Sequence, residues 1–128
     1  MRVLIADDDG VFVELARQRM RALGCDVHVA YDSPTALMAA VRNPPDLILL
    51  DIGMPGGTGL HTLRRLKASG RTEHVPVVVI TASTDPKVRT AAIADGAVAV
   101  LLKPVETDLL RETVVGVLNV ELTDPATG

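Results

Sequence analysis

The sequence has a single cysteine and no apolar run long enough to cross a bilayer. Cys25 has no partner within the chain, which excludes an internal disulfide, and one thiol cannot form a cysteine metal cluster. The apolar runs are far shorter than the roughly 20 residues of a membrane helix. No signal peptide is evident, because Met1 and Arg2 lead directly into a short strand-like run. We therefore expect a cytoplasmic protein.

Clustered basic residues and ligand-like histidine spacings are also missing. The net charge is −3 and the lysines and arginines are dispersed, which disfavours nucleic acid as a direct partner. What the chain does have is a globular composition: 48% of its 128 residues are hydrophobic and 23% are charged. A chain of this length forms one domain with a substantial core.

Apolar runs alternate with stretches of helical spacing, so the chain is predicted to contain five strand-then-helix units. The predicted strands lie at about residues 2–6, 26–30, 46–50, 76–81 and 97–102. The predicted helices lie at about residues 10–23, 34–42, 58–69, 85–94 and 105–120. The apolar face of the last helix is predicted to comprise Leu109, Leu110, Val114, Val117 and Leu118.

The strand pattern favours an α/β fold with a doubly wound five-stranded parallel sheet. Four of the strands are apolar throughout, as parallel strands covered on both faces must be. The run at residues 26–30 alternates instead, which predicts an edge strand. Residues 1–120 are therefore expected to form the domain, followed by a polar tail or the start of a linker at residues 121–128.

Polar residues follow four of the predicted strands. Asp7 and Asp8 come after the first, Asp51 after the third, Thr81 after the fourth and Lys103 after the fifth. The carboxyl ends of parallel strands meet at one edge of the sheet. Gathered carboxylates suit a hard divalent cation, and a hydroxyl with an ammonium suits a phosphoryl group. The sequence thus predicts a phosphorylation site.

These motifs resemble those of the receiver domain of two-component response regulators, over about residues 2–120. The resemblance rests on Asp7-Asp8, Asp51-Ile-Gly-Met-Pro-Gly-Gly-Thr-Gly59, Thr81-Ala82 and Lys103-Pro104. It implies a flavodoxin-like (βα)5 sheet with strand order 2-1-3-4-5, in which Asp32 lies away from the site. It also implies a cis peptide bond before Pro104.

The resemblance implies a role for each acid. Asp51 is expected to be the phosphoacceptor, forming an aspartyl phosphate with Mg²⁺ as cofactor. Asp8 is expected to ligate the metal directly and Asp7 through water, with Asp51 and the backbone carbonyl of Gly53 completing the protein ligands. The neighbouring Asp9 is interpreted as a helix N-cap instead.

The remaining site residues are expected to bind the phosphoryl group. The Thr81 hydroxyl and the Ala82 N–H would donate to its oxygens. Lys103 would pair with Asp51 before phosphorylation and with the phosphoryl group afterwards. The usual aromatic residue of the fifth strand is replaced by Val100, so the aromatic switch of the family is expected to be absent or reduced. At Gly53, the lack of a side chain leaves the lifetime of the phosphoryl group open.

The function implied is that of a signalling phosphoacceptor rather than an enzyme. Its partners would be a sensor histidine kinase or a histidine phosphotransfer domain, and a second copy or an effector at the face formed by helix 4, strand 5 and helix 5. Two alternatives stay open: a degenerate interaction module, and an aspartate-dependent phosphatase. Such phosphatases typically carry a second Asp where this chain has Gly53. The sequence fits both a stand-alone receiver and a piece of a longer regulator.

Overall fold

Five parallel strands form one sheet in the order β2-β1-β3-β4-β5. The computed structural model describes residues 1–56 and 59–122. The strands are β1 (Arg2–Ala6), β2 (Asp26–Ala30), β3 (Leu47–Asp51), β4 (Val77–Thr81) and β5 (Ala99–Leu102). All four neighbouring pairs are parallel. The predicted fold class and strand order are confirmed.

A helix follows each strand. The helices are α1 (Gly10–Ala22), α2 (Ser33–Arg42), α3 (Gly59–Ala68), α4 (Pro86–Ala94) and α5 (Thr107–Leu122). Thus α5 extends into the segment that was predicted to be a tail. The predicted helix start at residue 58 and the rest of that tail, residues 123–128, lie outside the described residues.

The fifth strand begins two residues later than predicted, since Gly96 and Ala97 cap the preceding helix and the Val98 N–H, which donates to the Val77 carbonyl, is the first to reach β4. The N–H of Gly96 donates to the carbonyl of Ile93, and the N–H of Ala97 donates to the carbonyl of Ala92. These bonds satisfy orphan carbonyls at the end of α4. The pairing of β5 with β4 then starts at Ala99.

Burial follows the sheet topology. Every residue of β3 and β4 is buried, whereas β2 alternates between exposed and half-buried residues up to its last residue. One core cluster joins one sheet face to α1 and α5, and a second joins the other face to α2 and α3. The sheet therefore holds its strand ends between two packed layers of helices.

The prediction for the apolar face of α5 was wrong at one position. Leu110, Val114 and Leu118 are buried, but Leu109 is 44% exposed. Consecutive helical residues point about 100° apart, and the spacing of the buried residues turns the core stripe away from Leu109.

Within the described part of the chain, none of the helices combines the length and the apolarity that a membrane span requires.

Candidate metal and phosphoryl site

The polar strand ends lie together at the carboxyl edge of the sheet, as the topology requires. Asp7 and Asp8 directly follow β1, which pairs with β3. Asp51 is the last residue of β3 and Thr81 the last of β4. Lys103 follows β5, the neighbour of β4. The structure thus brings together five side chains that are widely separated in sequence.

Three of these side chains form a carboxylate cluster. One oxygen from each of Asp7, Asp8 and Asp51 lies within 4.8 Å of the others. Asp7 and Asp51 are buried, whereas Asp8 is exposed. The Oδ2 of Asp7 is buried and accepts no hydrogen bond. An all-oxygen set of this size, open to water on the Asp8 side, fits Mg²⁺ with its octahedral shell at about 2.1 Å.

Asp32 lies outside the cluster. Its carboxylate accepts a hydrogen bond from the Thr35 N–H at 2.8 Å and forms the N-cap of α2. This bond to the Thr35 backbone lowers the pKa of Asp32. The carboxylate is used to start a helix, which satisfies a backbone donor that would otherwise have no partner.

The Lys103 ammonium is closest to Asp7. Its Nζ donates to Asp7 Oδ1 at 3.0 Å and lies 2.9 Å from Oδ2 of the same carboxylate. The distance from Nζ to Asp51 Oδ2 is longer, at 3.5 Å. The expected ion pair with Asp51 is therefore present in the structure, but the ammonium lies nearer to Asp7 than to Asp51.

Burial and charge act in opposite directions on this ion pair. Burial raises the pKa of Asp7 to about 6, against the hydrogen bonds from the Asp9 backbone and from Lys103, which lower it. Burial lowers the pKa of Lys103, but its hydrogen bond to Asp7 and the charges of Asp7, Asp51 and Asp9 outweigh this effect and raise it overall. The carboxylates of the site thus carry negative charge that a bound cation would compensate.

The loop after β3 orients the Asp51 carboxylate. The N–H of Gly53 donates to Asp51 Oδ1 at 2.8 Å. A Cβ at position 53 would lie 3.3 Å from that oxygen, so glycine leaves the carboxylate accessible. Farther along, a Cβ on Gly59 would clash with the backbone of Ile52, which explains why α3 begins with glycine.

A cleft runs from Asp51 to the end of β4. It has a volume of about 420 Å³, and its lining includes Asp51, Gly53, Thr81, Ala82 and Lys103. The Thr81 Oγ1 accepts a hydrogen bond from the Ser83 N–H at 3.0 Å, which leaves its own hydrogen free to donate. The cleft therefore joins a nucleophilic carboxylate, a hydroxyl donor and an ammonium.

Val100 occupies the position in β5 at which the resemblance implied an aromatic residue. Val100 is buried, and its carbonyl accepts a hydrogen bond from Arg89 Nη1 at 3.2 Å. Both residues line a cavity of about 280 Å³ that also reaches Thr81. The sequence offered no signal for this contact of α4 with β5, because an arginine on a helix is ordinarily solvated.

The Lys103–Pro104 peptide bond is cis, as predicted.

Sequence reasoning missed two neighbours of Lys103. Asp9 is the predicted N-cap of α1 and accepts hydrogen bonds from the N–H groups of Val11 and Phe12. Its Oδ2 also lies 3.7 Å from Lys103 Nζ. The Phe12 ring centroid lies 5.3 Å from the same Nζ, within the range of a cation–π contact. The acidic run at residues 7–9 hinted at Asp9, but nothing in the sequence pointed to Phe12.

The chain matches known proteins over most of its length. The family model for the response regulator receiver domain matches residues 3–115. Response regulator PleD of Caulobacter vibrioides is 40% identical over 109 residues, which are 85% of this chain and 24% of PleD. DNA-binding response regulator MtrA of Mycobacterium tuberculosis is 36% identical over 103 residues, which are 80% of this chain and 44% of MtrA. The chain spans less than half the length of these relatives.

Solved structures agree in fold. Chemotaxis response regulator CheY4 of Vibrio cholerae has a TM-score of 0.84 and 27% identity, with 91% of this chain and 97% of that one covered. The receiver domain of the Francisella response regulator 1452 has a TM-score of 0.85 and 27% identity, covering 94% and 98% of the two chains. The family match and the shared fold together make this protein a member of the response regulator receiver domain family.

Proposed function

We propose that this domain accepts a phosphoryl group on Asp51 from a histidine kinase or a histidine phosphotransfer domain, with Mg²⁺ as cofactor. The observation that carries the proposal is the single cleft in which Asp51, Thr81 and Lys103 meet, next to the acid pair of Asp7 and Asp8. An isolated carboxylate at a strand end would not need a half-buried ammonium and two further acids around it.

The proposed reaction is a direct transfer. An Asp51 oxygen attacks the phosphorus of the donor phosphohistidine, the phosphorus–nitrogen bond breaks, and the imidazole nitrogen leaves with the bonding electron pair. Lys103 and the Thr81 hydroxyl then bind the oxygens of the new acyl phosphate, with the Ala82 N–H as a further donor. Asp7, Asp8, Asp51 and the Gly53 carbonyl would hold Mg²⁺, which supplies neutralisation of the charge that develops on the phosphoryl oxygens.

The same site would also release the group by hydrolysis, so the domain would catalyse only its own phosphorylation and dephosphorylation. A phosphatase acting on other substrates would typically need a second Asp two residues after the nucleophile, at position 53. Position 53 carries no side chain and instead donates its N–H to Asp51. The geometry therefore supports a phosphoacceptor over an aspartate-dependent phosphatase.

We propose that phosphorylation is signalled to a partner protein through the face formed by α4, β5 and α5. Four large apolar side chains on or next to these elements are exposed: Ile93, Val98, Leu102 and Leu109. Exposed apolar residues on these elements suit contact with a partner protein, either a second copy or an effector domain. MtrA is described as DNA-binding, and since this chain spans 44% of MtrA, an effector of that kind would lie in the remainder of such a regulator.

The test is labelling with a small acyl phosphate or phosphoramidate donor, with and without Mg²⁺, read as a mass increase on the peptide that contains Asp51. We expect label on the wild type only with Mg²⁺, and none on Asp51→Asn. Asp32→Asn is the matched control, because it removes an aspartate that caps α2 away from the cluster. Label that persists on Asp51→Asn would refute the assignment, and an unlabelled wild type would favour an interaction module.

A further inference from the structure

The Lys103 ammonium has a second set of neighbours besides Asp7 and Asp51. Asp9 Oδ2 lies 3.7 Å from Nζ, and the Phe12 ring centroid lies 5.3 Å from it. The Lys103 side chain is only 17% exposed. The ammonium thus lies between two groups of partners, the metal-binding acids on one side and the first turn of α1 on the other.

Both groups of the second set are held in place independently of Lys103. Asp9 uses Oδ1 to accept the N–H groups of Val11 and Phe12, which leaves Oδ2 for the ammonium. Phe12 is buried and packs in the core cluster on the α1 side of the sheet. A carboxylate fixed by a helix cap and a ring fixed by the core can position a flexible lysine without moving themselves.

Asp7 is required by two cations. It makes the two shortest contacts with Lys103, and it belongs to the cluster that would hold Mg²⁺. If Asp7 bound Mg²⁺, its contact with the ammonium would weaken. A lysine has a long, flexible stem and a strongly hydrated head, and the longer 3.5 Å contact with Asp51 would then be the remaining one to the acids of the site.

We propose that Asp9 and Phe12 are positioning residues that keep the Lys103 ammonium beside the phosphoryl site while Asp7 binds the metal. This inference rests on the proposed function of Asp51. Asp9 contributes charge and Phe12 contributes the negative face of its ring, neither of which competes for the metal. The result is that Lys103 stays within reach of the phosphoryl oxygens throughout the transfer.

The experiment measures the rate of labelling by a small phosphoryl donor at saturating Mg²⁺ in four variants. Asp9→Asn keeps the helix cap but removes the charge, since Asn caps as well as Asp. Phe12→Leu removes the ring, and Phe12→Tyr keeps it. Met20→Leu is the control, because Met20 is buried about two turns farther along α1.

We expect Asp9→Asn and Phe12→Leu each to slow labelling about threefold to tenfold, the effect of weakening one charge or cation–π contact. Phe12→Tyr and Met20→Leu should label at the wild-type rate. The decisive comparison is a double-mutant cycle with Lys103→Ala. If the two residues act through Lys103, neither substitution slows labelling further in that background.

The position of the ammonium is read separately by nuclear magnetic resonance. The ε-methylene protons of Lys103 should be shifted upfield by the Phe12 ring in wild type and Phe12→Tyr, and lose that shift in Phe12→Leu. The inference is overturned if Phe12→Leu and Asp9→Asn label as fast as a labelled wild type, or slow the Lys103→Ala protein equally. Absence of label on the wild type would instead refute the proposed function, and the inference with it.

Discussion

At the scale of single residues, Asp7 carries a charge that the fold disfavours. Burial raises its pKa to about 6 from an ordinary value of 3.8, although Lys103 Nζ lies 2.9 Å away. A buried carboxylate is destabilising unless its charge is compensated, and the ion pair with Lys103 offsets the cost of burial only in part. Asp7 is therefore better suited to binding a cation than to stabilising the metal-free fold.

The pH dependence of stability follows from this shift. Because the folded pKa lies above the unfolded value, the folded protein binds the proton more tightly, and Asp7 lowers the free energy of unfolding as pH rises from about 4 to about 6. In Mg²⁺-free buffer, the free energy of unfolding of Asp7→Asn relative to that of the wild type should rise by on the order of 1 to 3 kcal/mol between pH 4 and pH 7. Urea unfolding at several pH values measures the gap between the two proteins. A gap that stays constant or narrows as pH rises would contradict the assignment.

At the scale of elements, helix N-caps define where the loops after β1, β2 and β4 end. Asp9, Asp32 and Asp85 each accept a backbone N–H at the start of α1, α2 and α4. In α2 and α4, a proline in the first turn adds a preset backbone angle. These local signals are visible in the sequence, which is why most helix starts were predicted to within two residues.

The burial pattern of α5 provides a test on two adjacent leucines. Leu110 is fully buried, whereas Leu109 is 44% exposed. Leu110→Ala should lower the free energy of unfolding by about 2–5 kcal/mol, because it leaves a cavity in the core. Leu109→Ala should cost less than about 1 kcal/mol, because the lost side chain was largely in water. Urea unfolding of both variants measures the two losses in the free energy of unfolding. Equal losses would show that α5 is rotated from the position described.

At the scale of the whole molecule, a cation at the carboxyl edge should stabilise the entire domain. The cluster carboxylates are assembled only when β1 and β3 pair, so Mg²⁺ would bind the folded chain in preference to the unfolded one. A concentration ten times the dissociation constant adds about 1.4 kcal/mol to the free energy of unfolding. The melting temperature should accordingly rise with Mg²⁺ concentration.

A matched pair of variants tests whether the rise in melting temperature with Mg²⁺ comes from the carboxylate cluster. Asp8→Asn should abolish the rise in melting temperature, because Asp8 is one of the three cluster carboxylates. Asp32→Asn should retain it, because Asp32 caps α2 outside the cluster. An equal response to Mg²⁺ in both variants would mean that the ion binds elsewhere.

Much of the fold could be predicted because its determinants are local or periodic. Fully apolar runs predict buried parallel strands, and the alternating run predicts the edge strand β2. The strand order came from the resemblance to receivers rather than from periodicity. The position of Asp7, Asp8, Asp51, Thr81 and Lys103 at one edge then follows from the topology alone.

Contacts between distant side chains required the tertiary structure. Lys103 lies 96 positions from Asp7, and no pattern in the sequence says that its ammonium lies closer to Asp7 than to Asp51. The same holds for the Phe12 ring beside Lys103 and for Arg89 on the Val100 carbonyl. The sequence by itself determined which chemical groups reach the edge of the sheet, since strand burial and strand ends are encoded locally. Only the tertiary structure decided which of them touch, because a difference of half an ångström between competing partners depends on the packing of the whole domain.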